Sequence, residues 1–191
     1  MPRRPTRTVP TVLLAGEAGE RDWPGWLAEQ LFAAGREVRC CFLAEPTPAT
    51  AQAALAEAVA GLPEDGFDLL AHSVGCLVWL HHAATATGGP RPARVALVAP
   101  PAADGAPAEW AGFFPVPLAV DPVRKAADGT VLVGSDNDPH CPPGVAQQYG
   151  TPLKMATTVV SGAGSFTAAD GYGPWPAVLD WCGRDNLAFR A

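Results

Sequence analysis

Leu69-Leu70-Ala71-His72-Ser73-Val74-Gly75-Cys76-Leu77 is the stretch on which the reading of this chain turns. It reads as a buried strand that bends sharply into a helix, with a serine held at the apex between small residues. Such a turn brings backbone against backbone, so small neighbours are required. The pattern is that of a nucleophile elbow, with Ala71 where a first glycine is usual. It pushes a serine hydroxyl out at the carboxyl end of a sheet, an arrangement suited to acyl chemistry.

Working outward, apolar runs rich in valine, leucine and alanine recur at 11–15, 38–43, 67–71, 95–99, 131–134 and 157–160, each bounded by Gly, Pro or Asp. Continuous apolar runs suit strands buried on both faces. Between them lie helical patterns. Trp23, Trp26, Leu27 and Leu31 share one face, Leu55, Val59 and Leu62 share another, and 74–84 follows the elbow. Strands alternating with helices predict an α/β fold, a mostly parallel sheet of about six strands with helices on both faces. Ligands then collect at the carboxyl ends of the strands, where Ser73 sits. The segment 100–125, rich in proline and alanine and holding Trp110, Phe113 and Phe114, reads as a loop or short-helix cover for that edge. No internal repeat or boundary divides residues 1–191, so a single domain is expected.

The composition, 48% hydrophobic and 17% charged, fits a covered interior rather than disorder. A net charge of -6 supplies no basic face, which argues against nucleic acid as a partner. Arg3, Arg4 and Arg7 form a proline-broken run too short for a signal peptide, and no stretch approaches a membrane span. Five cysteines without zinc-like spacing fit a reducing cytoplasm better than a disulfide framework. No metal or cofactor is expected. His81 and His82 are adjacent and cannot form a metal pair four apart on a helix, the 136–138 loop lacks the glycine and distal glutamate of a calcium site, and the 16–19 loop lacks the full dinucleotide pattern.

Serine is a weak nucleophile at its own pKa, so acyl transfer needs an adjacent base, a group orienting that base, and donors for the developing oxyanion. The oxyanion donors are expected to be the backbone N–H of Val74 and one from Gly16-Glu17-Ala18-Gly19 after the first strand. Only the backbone of Glu17 is assigned, because its charge beside a developing anion is unfavourable. The orienting acid is sought after the next-to-last strand, in Ser135-Asp136-Asn137-Asp138-Pro139-His140-Cys141-Pro142. Asp138, on the stretch stiffened by Pro139 and Pro142, is the better candidate, while Asp136 is free to cap the turn. His72 inside the elbow reads as a packing or locally hydrogen-bonded residue, and none of the cysteines reads as a nucleophile.

At this point the chain resembles a family, the small serine hydrolases related to retinoblastoma-binding protein nine, an α/β-hydrolase branch. The resemblance covers nearly the whole length. It rests on Trp23 and Trp26-Leu27, on His72-Ser73-Val74-Gly75-Cys76, on Leu97-Val98-Ala99-Pro100, and on Ser135-Asp136-Asn137-Asp138-Pro139. It rests also on Gly162-Ala163-Gly164-Ser165-Phe166 and Gly171-Tyr172-Gly173-Pro174-Trp175-Pro176. It implies an α/β-hydrolase fold with Ser73 as nucleophile and Asp138 as acid, and it places the catalytic histidine at the position that Ser165 occupies. A hydroxyl cannot act as a base near neutral pH, and losing a triad member typically costs on the order of 10⁴ to 10⁶ in turnover. Three accounts fit the exchange: it was introduced to trap a substrate, His140 on the Asp138 loop serves as the base, or the pocket does other work. Trp175 and Trp181 read as core, with Trp175 and Phe166 also placed as candidates beside the substrate. The expectation is an atypical serine-hydrolase-like enzyme acting on a small ester, thioester or activated carbonyl compound. The alternatives are a non-hydrolytic enzyme of the same fold, such as a cyclase, lyase or acyl transferase in a biosynthetic pathway, or an inactive binding protein. The expected partner is a small molecule, with neither nucleic acid nor membrane.

Overall fold

The computed structural model describes residues 9–16, 22–63, 66–184 and 188–189. Six strands form one sheet: β1 (Thr11–Gly16), β2 (Val38–Leu43), β3 (Phe67–His72), β4 (Pro92–Val98), β5 (Gly129–Ser135) and β6 (Ala156–Val160). Their order is β2-β1-β3-β4-β5-β6, and every neighbouring pair is parallel. Parallel strands need crossovers, and the helices supply them: α1 (Trp23–Ala33), α2 (Pro48–Val59), α3 (Val74–Thr85), α4 (Val120–Ala126), α5 (Thr151–Leu153) and α6 (Pro176–Gly183).

Alternation along the central strands divides the interior into two cores. Val12 and Leu14, Leu69 and Ala71, Val95 and Leu97, and Leu132 point to one face, where Leu55, Leu77, Trp79 and Tyr149 cover them. Leu13, Leu70, Ala96, Val98, Val131 and Val133 point to the other, beneath Trp23, Leu27 and Leu31 of α1 and Val178 and Trp181 of α6. Burial on both faces explains why the runs in β1, β3, β4 and β5 are continuously apolar. The outer strands depart from that expectation. At the edges of the sheet, Cys40 and Phe42 of β2 and Val159 of β6 are exposed, because no further strand among the described residues pairs beyond them.

Local chemistry sets the helix ends. Pro24, Pro48 and Pro176 occupy first-turn positions, where a missing N–H costs nothing. Thr47 and Thr50 form a reciprocal capping box at the start of α2. That helix stops at Val59, so Leu62 reaches the same core from beyond the Gly61 turn rather than from the helix. The cover resolves into a 3₁₀ segment (Ala108–Phe113) and α4, with Phe113 buried. No helix among the described residues is long and apolar enough to cross a membrane.

Candidate active site

Ser73 stands between β3 and α3 with φ 54° and ψ -122°, a strained conformation for a residue with a side chain. Surrounding bonds hold it there. The Ser73 N–H donates to the Val98 carbonyl at 2.9 Å, and the Cys76 N–H donates to the Ser73 carbonyl at 2.9 Å. The elbow needs Gly75, since a Cβ at that position would collide with the Leu14 carbonyl oxygen of β1. Ala71 is fully buried at the first-glycine position, so a methyl group is accommodated there. Val74 is the first residue of α3, and its N–H precedes the helix's internal bonds. Gly16, at the end of β1, lies beside Val74, where an added Cβ would sit 3.4 Å from Val74 Cγ1. Glu17, Ala18 and Gly19 lie outside the described residues.

The loop after β5 grips the turn after β6 residue by residue. Ser135 Oγ accepts from the Ala163 N–H at 2.9 Å, and Asn137 Oδ1 accepts from the Gly164 N–H at 2.7 Å. Asp136 takes the Gly162 N–H at 2.8 Å and the Ser161 hydroxyl at 2.7 Å, bonds that hold its carboxyl below the usual range. Asp138, buried, accepts the Ser165 hydroxyl at 2.6 Å on Oδ1. The Ser165 N–H donates to Asp170 at 3.1 Å. Burial opposes ionisation of Asp170, but the Thr167 hydroxyl and the Thr167 and Ser165 N–H groups hold its carboxyl below the usual range. The Ser165 carbonyl in turn lies 2.9 Å from His72 Nε2. A carbonyl only accepts, so Nε2 carries the proton and Nδ1 the lone pair. Burial lowers the His72 pKa more than the Ser165 carbonyl and the charges of Asp22, Asp138 and Asp170 raise it, which keeps the ring neutral.

Ser73 and His72 line a cavity of about 370 Å³ at the carboxyl edge of the sheet, together with Ala15, Gly16, Asp22, Pro24, Leu43, Glu45, Pro46, Glu109, Trp110 and Thr167. The cover supplies Glu109 and Trp110, as its composition suggested. Three sequence expectations for the substrate wall come out differently. Phe166 and Trp175 stack on each other with centroids 5.0 Å apart, inside the core beneath α1 and α6, Phe166 from a left-handed turn at φ 57° and Trp175 from the N-cap of α6. His140 does not line this cavity. Its Nδ1 lies 2.9 Å from the Gly105 carbonyl and its N–H donates to Asp138 Oδ1 at 2.9 Å, which fastens the residue to the cover. Sequence reasoning missed Asp22, Glu45 and Thr167. Each follows or faces a strand's carboxyl end, and only the strand order brings them together.

The thiols do not offer a rival nucleophile. Burial, and after it the charges of Asp138 and Asp104, push Cys141 up to about 12, and burial pushes the Cys76 thiol up as well. The Cys76 Sγ–H lies 3.3 Å from both the Ala71 and Val98 carbonyls, a packing role within the elbow. No group of three or more metal-ligating side chains occurs among the described residues.

A parallel sheet carrying a strained serine at the turn from its central strand into a helix is that of an α/β-hydrolase. The chain belongs to the serine hydrolase family, whose model matches residues 13–183. In structure it is similar to the ydeN gene product of B. subtilis, with a TM-score of 0.75, 19% identity, and coverage of 91% of this chain and 96% of that one. A YdeN-like hydrolase from Pectobacterium atrosepticum follows with a TM-score of 0.66 and 22% identity, covering 91% of this chain and 88% of that one. An extracellular α/β-hydrolase from a Paenibacillus species aligns with a TM-score of 0.60 and 16% identity, over 93% of this chain and all (100%) of the other. At these identities the likeness speaks for the fold. No curated protein matches the sequence.

Proposed function

We propose that this chain is an esterase-like enzyme of the branch related to retinoblastoma-binding protein nine. In this reading Ser73 accepts acyl groups from small, activated carbonyl compounds, and turnover is low because the base is missing. The observation that carries the reading is Ser73 itself, strained at the elbow and lining a cavity beside Gly16 and the start of α3. The Ser73 oxygen attacks the carbonyl carbon as its hydroxyl proton passes to solvent water, and the leaving group departs with the electrons of the broken bond; water then attacks the acyl-Ser73 carbonyl, releasing the acid and returning a proton to the Ser73 oxygen. The Val74 N–H at the start of α3 stabilises the oxyanion between these events. An ordinary alkoxide would need a proton on leaving, and Ser165 is a poor source, since its hydroxyl is engaged with Asp138. A thiolate or aryl oxide leaves without that help, so thioesters and activated esters suit the site. Oxyanion donors and substrate binding alone retain about 10³ to 10⁴ over water when a triad member is absent.

The Ser165–Asp138 hydrogen bond also favours a second reading, an enzyme of the same fold that positions a reactive substrate for cyclisation, elimination or acyl transfer without hydrolysis. Labelling by a fluorophosphonate separates the two. Wild-type labelling that vanishes in Ser73→Ala supports acyl chemistry at Ser73. Absence of labelling in wild type, restored in Ser165→His, turns the assignment to the non-hydrolytic reading. Five free thiols accord with a reducing compartment such as the cytoplasm.

A further inference from the structure

The cover that walls the Ser73 cavity is fastened by a histidine ring at each end. Upstream of the 3₁₀ segment, the Gly105 carbonyl lies 2.9 Å from His140 Nδ1, and the Ala102 N–H donates to the His140 carbonyl at 2.8 Å. The two backbones approach closely there, since a Cβ on Gly105 would fall 2.7 Å from the His140 carbonyl oxygen. At the downstream end, the Phe113 carbonyl lies 2.7 Å from His81 Nε2, and the Phe113 side chain is buried in the core. A carbonyl only accepts, so His140 Nδ1 and His81 Nε2 both carry protons. The rings stand on the elements that carry the chemistry. His140 follows Asp138 by two residues, and its N–H donates to that carboxylate. His81 is on α3, the helix that leaves the elbow at Ser73. Between the clasps lie Glu109 and half-buried Trp110, the part of the cover that lines the cavity. Neither histidine lines the cavity, so any influence they have on a bound molecule passes through the cover.

We propose that His140 and His81 are positioning residues: by holding the 105–113 strap at both ends they set where Trp110 stands over Ser73, and so how bulky an acyl group can approach it. The size selection rests on the reading of Ser73 as the acyl-accepting residue; the clasps themselves do not. Each ring ties one donor to one backbone acceptor, so losing a ring frees that end of the strap, while Asp138 keeps the His140 backbone N–H. A hydrophobic pocket distinguishes substrates differing by one methylene about 10- to 200-fold, so a small displacement of Trp110 changes the choice between short and long acyl groups without touching the reacting atoms.

Matched substitutions in the full chain test it, because the two rings use different nitrogens. The amide N–H of asparagine stands about where Nδ1 does and that of glutamine about where Nε2 does, so His140→Asn and His81→Gln keep the donor, whereas His140→Ala and His81→Ala remove it. Nitrophenolate release from 4-nitrophenyl acetate and 4-nitrophenyl hexanoate is followed in each variant, with the rate of Ser73→Ala subtracted. The hexanoate-to-acetate ratio of kcat/KM is expected to rise about fivefold or more in either alanine variant and to stay within about twofold of wild type in His140→Asn and His81→Gln. Amide hydrogen exchange across 105–113, read by mass spectrometry, should quicken in the alanine variants and remain near wild type in the two amide variants. A ratio unchanged in both alanine variants, or shifted as far in the amide variants, overturns the proposal. Should one alanine variant melt early, the one at the other end of the strap carries the comparison. Absence of Ser73-dependent release from wild type is a different failure: it removes the acyl reading and the size selection with it, while the exchange pattern still decides whether the rings clasp the strap.

Discussion

Ser165 Oγ donates its proton to Asp138 Oδ1 across 2.6 Å, so the buried acid after β5 is satisfied by a hydroxyl rather than by an imidazole. The turn that carries Ser165 is pinned at four successive residues by Ser135, Asp136, Asn137 and Asp138, which fixes where any side chain at this position begins.

Ser165→His should therefore place an imidazole with one nitrogen on Asp138 and the other toward Ser73. Hydrolysis of an activated aryl acetate is expected to rise by about 10² to 10⁴, the usual worth of a positioned general base. Adding Asp138→Asn to that variant should remove most of the gain, because the ring loses the acid that sets its tautomer. A rate in Ser165→His no higher than wild type would mean that Ser73 and this turn do not face one another productively.

The sheet was legible because burial on both faces leaves uninterrupted apolar runs, and the elbow because Ser73 needs Gly75 beside it. The edges were less so. Val159 and Phe42 carry the same residue types as central strands, and exposure there is decided by strand order alone. Phe166 directly follows Ser165, yet it packs into the core, since neighbouring residues on a turn can face opposite ways, and Trp175, ten residues on at the start of α6, joins it there. The acids of the cavity wall are far apart in the chain and follow no motif, so only the topology assembles them.

Gly75→Ala tests the elbow mechanically. The new methyl group would meet the Leu14 carbonyl, part of the β1 backbone, which cannot swing aside as a flexible side chain does. Overpacking of this kind costs about 1–3 kcal/mol. Urea denaturation should show a lower midpoint with an unchanged slope, and Ser73 labelling should fall in the same variant. A midpoint equal to wild type would contradict the close approach of α3 to β1.

Asp68 and Arg94 form a buried ion pair between β3 and β4, and Arg94 also donates to the Trp181 carbonyl at 3.1 Å while its guanidinium lies 4.1 Å from the Trp181 ring centroid. The pair thus fastens α6 to the sheet end opposite the cavity. Asp68→Ala strands a buried guanidinium, at a cost of about 3–5 kcal/mol. Replacing both, as Asp68→Ala/Arg94→Met, should cost less than the sum of the single changes, as thermal and urea unfolding of the four proteins would report. Strict additivity would mean the two side chains do not act as a pair.

Stability should decline as the pH falls below neutrality, for a reason located at His72 and His82. Burial lowers both pKa values beneath the ordinary 6.5, so the folded chain binds fewer protons than the unfolded chain in that range. Where the unfolded state binds more protons, stability rises with pH. The contribution is therefore complete above about 6.5, the unfolded value, and is lost as the pH drops through it toward the lower folded values. Asp136 and Asp170 behave in the same direction but in a separate window. Their carboxyls are held below the ordinary 3.8, so their contribution disappears only in strong acid. Melting temperatures measured from pH 8 to pH 5 should fall, and His72→Gln should flatten that part of the curve while leaving the acid limb in place. His72 is the more informative of the two histidines. Its Nε2–H holds the Ser165 carbonyl, so protonation puts a charge into the elbow while Asp22, Asp138 and Asp170 pull the other way. A profile that stays flat between pH 7 and pH 5 in wild type would mean that these carboxylates fully offset the burial of the ring.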